Sequence, residues 1–204
     1  NTLGSGLNGR AVKVTGTGAT AELIDSKVTL TTDANQQYDQ AFTAAVGTEN
    51  GGHANIVGGS IKARGNNRTV GIQANDGGSI TATGVSIETD SAFSHAVNAY
   101  SNPNTATDTK ITLTNVTIST LDDNFAAGIS SANQGAHVEA ENTHIVTLGT
   151  NSFGAMVFNG ATVSLTNSSI ATAGENAFGI YAYTGNIGED SATLTNTDIS
   201  TNGE

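Results

Sequence analysis

His137, Glu139 and Glu141 alternate with Val138 and Ala140. On an extended chain, residues two apart share a face, so one imidazole and two carboxylates stand side by side. His-x-Glu-x-Glu is a ligand set for a divalent metal. Its face points outward and open, and no neighbouring repeat supplies a second imidazole, so the set reads as solvated charge. Lys110, one repeat earlier, is placed to pair with these acids. Asp122–Asp123 and Glu189–Asp190 are paired carboxylates, the residue type of glycosidic cleavage and of calcium binding. Neither pair has the EF-hand spacing or the GGxGxD calcium repeat, and both read as exposed acidic turns. A lyase would need a base near such acids, and the late half of the chain offers only His137 and His144. His53 and His95 read as isolated in turns. No Ser lies in a nucleophile elbow, and no phosphate loop or dinucleotide fingerprint is present. No catalytic residue, bound metal or cofactor is expected.

Composition narrows the classes further. The chain has 204 residues, 7 Lys+Arg against 18 Asp+Glu, a formal net charge of -11, 25 Gly, and no Cys or Trp. Without Cys there is no disulfide scaffold, thiolate zinc site or thiol nucleophile. The last cation is Lys110, and nine acids follow it. A phosphate backbone needs positive charge opposite it, so no nucleic-acid partner is expected; sulfated glycans and anionic lipid are repelled likewise. No run of about 18 apolar residues exists, so no membrane insertion by this segment is expected. No signal peptide is visible.

What must position the chemistry is a repeat. The pattern apolar-x-Asn/Gly/Asp-x-x-Ile/Val recurs at Leu23–Val28, Ile56–Ile61, Ala82–Ile87, Leu113–Ile118, Ala140–Ile145, Leu165–Ile170 and Leu194–Ile199. The closing Val/Ile residues are spaced 33, 26, 31, 27, 25 and 29 apart. A second pattern, small-apolar-x-small, follows about ten residues later. It reads Gly71–Ala74, Ala96–Ala99, Gly128–Ser131 and Gly179–Ala182, with Ala41–Ala44 and Ala11–Val14 fitting and Gly154–Val157 a weaker member. Ile111 and Leu113 alternate with Lys110, Thr112 and Thr114; Val163 and Leu165 alternate with Thr162, Ser164 and Thr166. That is one buried and one wet face, with Gly/Asn/Asp turns between.

Such a unit cannot bury its apolar stripe alone, so units must stack. The expected fold is all-β, a parallel β-helix (solenoid) of about seven rungs, with residues 1–204 forming a single segment. Equivalent residues then lie about 4.8 Å apart, and Val28, Ile61, Ile87, Ile118, Ile145, Ile170 and Ile199 form one interior column. Loops are expected to bulge from one corner, at Asp33–Gln40, Ser101–Asp108 and Gly185–Ser191. Asp25, Gly58, Gly84, Asn115, Asn142, Asn167 and Asn196 mark a corner needing positive φ, which these types tolerate best; their amides can also bond along the stack. Phe93, Phe125, Phe153 and Phe178 recur before the second pattern and read as an internal aromatic stack. Met156 and Tyr181 are packed, or form a small outward patch. Asn67-Arg68-Thr69, Asn115-Val116-Thr117 and Asn167-Ser168-Ser169 match the glycosylation triplet, as chance allows in such composition.

The run of Leu-Thr-Asn-x-x-Ile units at Leu113–Ile118, Leu165–Ile170 and Leu194–Ile199, with the interleaved Ala/Gly-Ile/Val-x-Ala strands, resembles the passenger of a Gram-negative autotransporter, of the pertactin-like and self-associating adhesin type. The resemblance spans roughly residues 10–201. It implies a right-handed coil and a location outside the cell, at the bacterial outer-membrane surface. It also implies adhesion, aggregation or biofilm formation. A signal peptide, a translocator barrel and an RGD triplet are not in the sequence, so the chain reads as a fragment of a longer passenger. The expected partners are a second copy of the chain, or host surface and matrix proteins or glycans. The residues expected to meet them are Thr112, Thr114, Asn115, Asn142, Thr162, Thr166, Asn167, Thr195 and Asn196. Each hydroxyl or amide contributes on the order of 1 kcal/mol, so affinity rests on multivalency. The rival is a polysaccharide lyase or glycoside hydrolase on the same scaffold. A third class, ice or crystal binding, needs regularly spaced Thr-x-Thr rows, which the varying unit length counts against.

Overall fold

The structure is a computed structural model describing residues 10–32, 43–65, 67–121, 124–185 and 188–203. Among them there is no helix. The first turn comprises β1 (Val12–Thr15), β2 (Thr20–Ile24) and β3 (Lys27–Thr31). The second has β4 (Thr43–Glu49), β5 (His53–Val57) and β6 (Ser60–Arg64), and the third β7 (Thr69–Asn75), β8 (Ser79–Thr83) and β9 (Ser86–Asp90). The fourth has β10 (His95–Tyr100), β11 (Thr109–Thr114) and β12 (Thr117–Thr120), and the fifth β13 (Ala127–Ala132), β14 (Ala136–Glu141) and β15 (His144–Thr147). Then follow β16 (Phe153–Phe158), β17 (Thr162–Thr166) and β18 (Ser169–Thr172), and finally β19 (Phe178–Tyr183), β20 (Ser191–Thr195) and β21 (Asp198–Thr201).

Every third strand pairs in parallel, giving three seven-stranded sheets: β1 to β19, β2 to β20 and β3 to β21. The seven strands of each sheet are separated by six steps, so the coil makes about six complete turns, slightly fewer than the seven expected. The interior column is continuous. Val28 pairs with Ile61, and the register runs on through Ile87, Ile118, Ile145 and Ile170 to Ile199. The unequal unit lengths are absorbed outside the strands. Residues 101–108 and 184–190 connect the first sheet to the second, whereas Asp33–Gln40, between β3 and β4 in chain order, lies outside the described residues.

The corner between the second and third sheets explains the Asn-type motif. Asp25, Gly58, Gly84, Asn115, Asn142, Asn167 and Asn196 all have φ between 46° and 66°. This left-handed conformation turns the chain while leaving each N–H aimed at the next turn. The Asn115 N–H donates to the Glu141 carbonyl at 3.0 Å, and the Asn142 N–H to the Thr166 carbonyl at 3.0 Å. A β-branched side chain is strained at such a φ. Asn142→Val is expected to destabilise the coil by about 1–2 kcal/mol, and Asn142→Gly by clearly less. Equal melting temperatures for the two variants would contradict this account.

Three sequence expectations need correction. Val46 pairs with Val12 and Ile72, so the second unit's small-apolar-x-small segment is Ala45–Thr48 and not Ala41–Ala44; its 33-residue spacing hid the register. Gly154–Val157 is a full member, since Ala155 pairs with Ile129 and Ile180. Second, His53 and His95 each open a strand instead of lying in turns, and His95 is buried. Third, the aromatic stack forms, but on the outside. Phe93 and Phe125 stack at 5.5 Å and Phe153 and Phe178 at 5.9 Å, yet Phe93, Phe125 and Phe178 are 42%, 46% and 48% exposed; only Phe153 is buried. The interior beside them has no room. A Cβ added at Gly71, Gly128 or Gly154 would collide with the Ile87, Ile145 or Ile170 side chain. Tyr181 continues the stripe, its ring 5.1 Å from Phe153.

Not every inward residue is apolar. Two residues after the Ile column, the third sheet places Thr89, Thr120, Thr147 and Thr172 inside, all nearly fully buried. Their hydroxyls have no hydrogen-bond partner among the described residues.

Candidate functional site

The outer face of the second sheet follows from strand alternation. Ile111 and Leu113 point inward, as do Val138 and Ala140, and Val163 and Leu165. Three outward rows remain, one turn per step. One row is Ser79, Lys110, His137, Thr162 and Ser191. The next is Thr81, Thr112, Glu139, Ser164 and Thr193, and the third Thr83, Thr114, Glu141, Thr166 and Thr195. The outward rows therefore keep a regular register despite the varying unit length, because insertions fall between strands, but Glu139, Glu141 and Ser164 interrupt the Thr-x-Thr repeat.

The first row is occupied internally. Lys110 Nζ lies 2.7 Å from Glu139 Oε1, and His137 Nδ1 lies 2.8 Å from Thr162 Oγ1 with its Nε2 3.9 Å from Asp108. His53 Nδ1 meets Ser79 Oγ at 2.9 Å. Lys110, His137, Glu139 and Glu141 are the acid–base groups a lyase or hydrolase would use, and the first three are each engaged by a neighbour. Among the described residues no three His, Asp or Glu side chains gather as a metal site. On the third sheet, His144 Nδ1 lies 2.6 Å from Ser169 Oγ, and Asp198 pairs with Ser169 from the other side. A nucleophilic triad needs the carboxylate behind the imidazole; here the hydroxyl stands between them.

The hydroxyls of the other two rows, including Thr112, Thr114, Ser164 and Thr166, form no hydrogen bond among the described residues. With Glu139 and Glu141 they line a shallow, open depression of about 340 Å³. A second depression, of about 430 Å³, follows the corner past Asn142, Asn167 and Asn196 to His144, Ser169 and Asp198. Along that corner the Asn196 amide donates to Asn167 Oδ1 at 3.2 Å.

The expected partner-binding residues thus fall on one band. Thr112, Thr114 and Thr166 line the first depression, and Asn142, Asn167 and Asn196 the second. Asn115 lies on the same corner, Thr195 continues the third row, and the Thr162 hydroxyl is taken by His137. Ser164, Glu139 and Glu141 belong to the band as well; strand phase alone placed them there, with Glu141 over Thr114 and under Thr166. Asp122 and Asp123 lie outside the described residues. Asp190 braces its loop, accepting from the Gly160 N–H at 2.6 Å and the Thr184 hydroxyl at 2.9 Å.

Four cations at the other end are held in ion pairs. Lys62 and Arg64 bind Glu88 at 3.1 and 2.7 Å, and Arg10 and Lys13 bind Glu49 at 2.8 and 2.6 Å. The Arg64 bond, with help from Lys62, holds the Glu88 carboxyl below its ordinary range against the opposing effect of burial. The chain matches no family model, no curated protein and no solved structure.

Proposed function

We propose that this chain is a segment of an exported cell-surface adhesin of the kind its repeats resemble, an autotransporter passenger. It acts outside the cell, at the bacterial outer-membrane surface, by holding a second copy of itself or a host surface. The observation that supports this is the band of hydroxyls and amides repeated turn after turn in one register, a geometry that multiplies weak contacts. A right-handed winding belongs to this reading, since parallel strands joined through a crossover are overwhelmingly right-handed.

Sedimentation across a wide concentration range, together with settling of cells that display the segment, tests the proposal. Concentration-dependent association, or attachment to cells or matrix, is the expected result. A chain that stays monomeric throughout and attaches to nothing would remove the adhesive function.

A further inference from the structure

We propose that the depression on the second sheet is a binding groove for a neutral polysaccharide chain lying along the coil axis. The inference rests on the adhesive reading above and names the ligand of that same face.

Three observations point to this ligand. The Thr112, Thr114, Ser164 and Thr166 hydroxyls have no partner among the described residues and stand in register on either side of Glu139 and Glu141. Each can both donate and accept, which suits a polymer of hydroxyl groups. Glu139 is already paired with Lys110, whereas Glu141 has no cation within reach among the described residues; its carboxylate is an acceptor for sugar hydroxyls. The depression is shallow and open, and its rows continue onto neighbouring turns, so it fits a chain better than a compact molecule.

Charge and surface chemistry favour this ligand over its competitors. No Lys or Arg follows Lys110, so a uronate or sulfated polymer is repelled. From the third turn onward the three outward rows hold no apolar or aromatic side chain, so a protein partner, a second copy included, would be held by repeated polar contacts without the buried anchors that usually dominate protein interfaces. A flat crystal face needs an unbroken array of one side-chain type, which Glu139 and Glu141 interrupt.

Affinity electrophoresis provides the test, with gels containing a linear neutral β-glucan, alginate as polyanion, or chitosan as polycation. Retardation by the β-glucan and not by alginate is expected. The double variant Thr112→Val, Thr166→Val keeps shape and strand propensity and should weaken binding about tenfold with an unchanged melting curve. Glu141→Gln, which alters charge and not size, should weaken β-glucan binding severalfold and relax the discrimination against alginate. The proposal is overturned if no β-glucan retardation occurs, if alginate or chitosan is the preferred polymer, or if both variants bind like the parent. Self-association without glucan binding would sink this inference alone; loss of every association would remove the adhesive function with it.

Discussion

Replacing Ile118 by Ala is expected to lower stability by about 2–5 kcal/mol. Ile118 is 0% exposed and pairs with Ile87 on one side and Ile145 on the other. Across the interior, a Cβ placed on Gly128 would lie 3.6 Å from the Ile118 Cγ2. Gly128, from the following turn, therefore offers no side chain that could swing into the vacated volume. Cavities that cannot collapse fall in the upper part of the range. Because each turn touches only its neighbours, the damage concentrates on the third to fifth turns. Urea denaturation followed by far-ultraviolet circular dichroism measures it. Thr112→Ala, on the outer face of the same turn, is the control and should cost below about 1 kcal/mol. A similar loss for both variants would contradict an inward Ile column.

Acidification should act through His95. Burial in β10 pushes its imidazole down to about 4 from an ordinary 6.5, only partly opposed by a backbone hydrogen bond at Ser94. Between those values the unfolded chain binds a proton that the folded chain refuses, so stability falls as pH drops from about 6.5 toward 4. The accumulated loss is about 3 kcal/mol. Glu88, held low by Arg64 and Lys62, also loses its contribution in acid, but in a lower window, below the ordinary carboxylate value of 4.5. The two are therefore separable. His95→Gln should flatten the denaturation midpoint between pH 4 and 6.5 and leave the steeper acid limb in place. An unchanged slope in that variant would show that His95 does not govern this window.

The interior column and the αL corner were legible because two independent signals coincide at fixed offsets: an apolar residue, then Asn, Asp or Gly, then Val or Ile. The corner type follows from steric limits on a single residue, which sequence displays directly. The register of the second unit was not legible, since a long insertion before Thr43 lets Ala41–Ala44 and Ala45–Thr48 fit the same loose pattern. The aromatic stripe was legible as a recurrence but not as a side. Spacing says that Phe93 and Phe125 stack, and only the approach of Ile145 to Gly128 shows that the interior has no space for a ring.

The polar band shows the same division. Phase along one strand was enough to set Thr112 and Thr114 opposite Ile111 and Leu113, and it carried Ser164 and Thr166 to the same face. Which hydroxyls remain available was decided by neighbours 25 to 29 residues away: Thr162 is taken by His137, Ser169 by His144 and Glu139 by Lys110.

By itself the sequence determined that this chain coils in parallel turns, where it bends, and which Val and Ile face one another, because periodicity and local backbone sterics act over a few residues. The tertiary structure alone decided that Thr89, Thr120, Thr147 and Thr172 close the interior, that Phe93, Phe125 and Phe178 lie outside, and that Glu141 keeps no cation among the described residues. Threonine has the shape of valine and serves either face, and partners contributed by the next turn are fixed only when the turns stack.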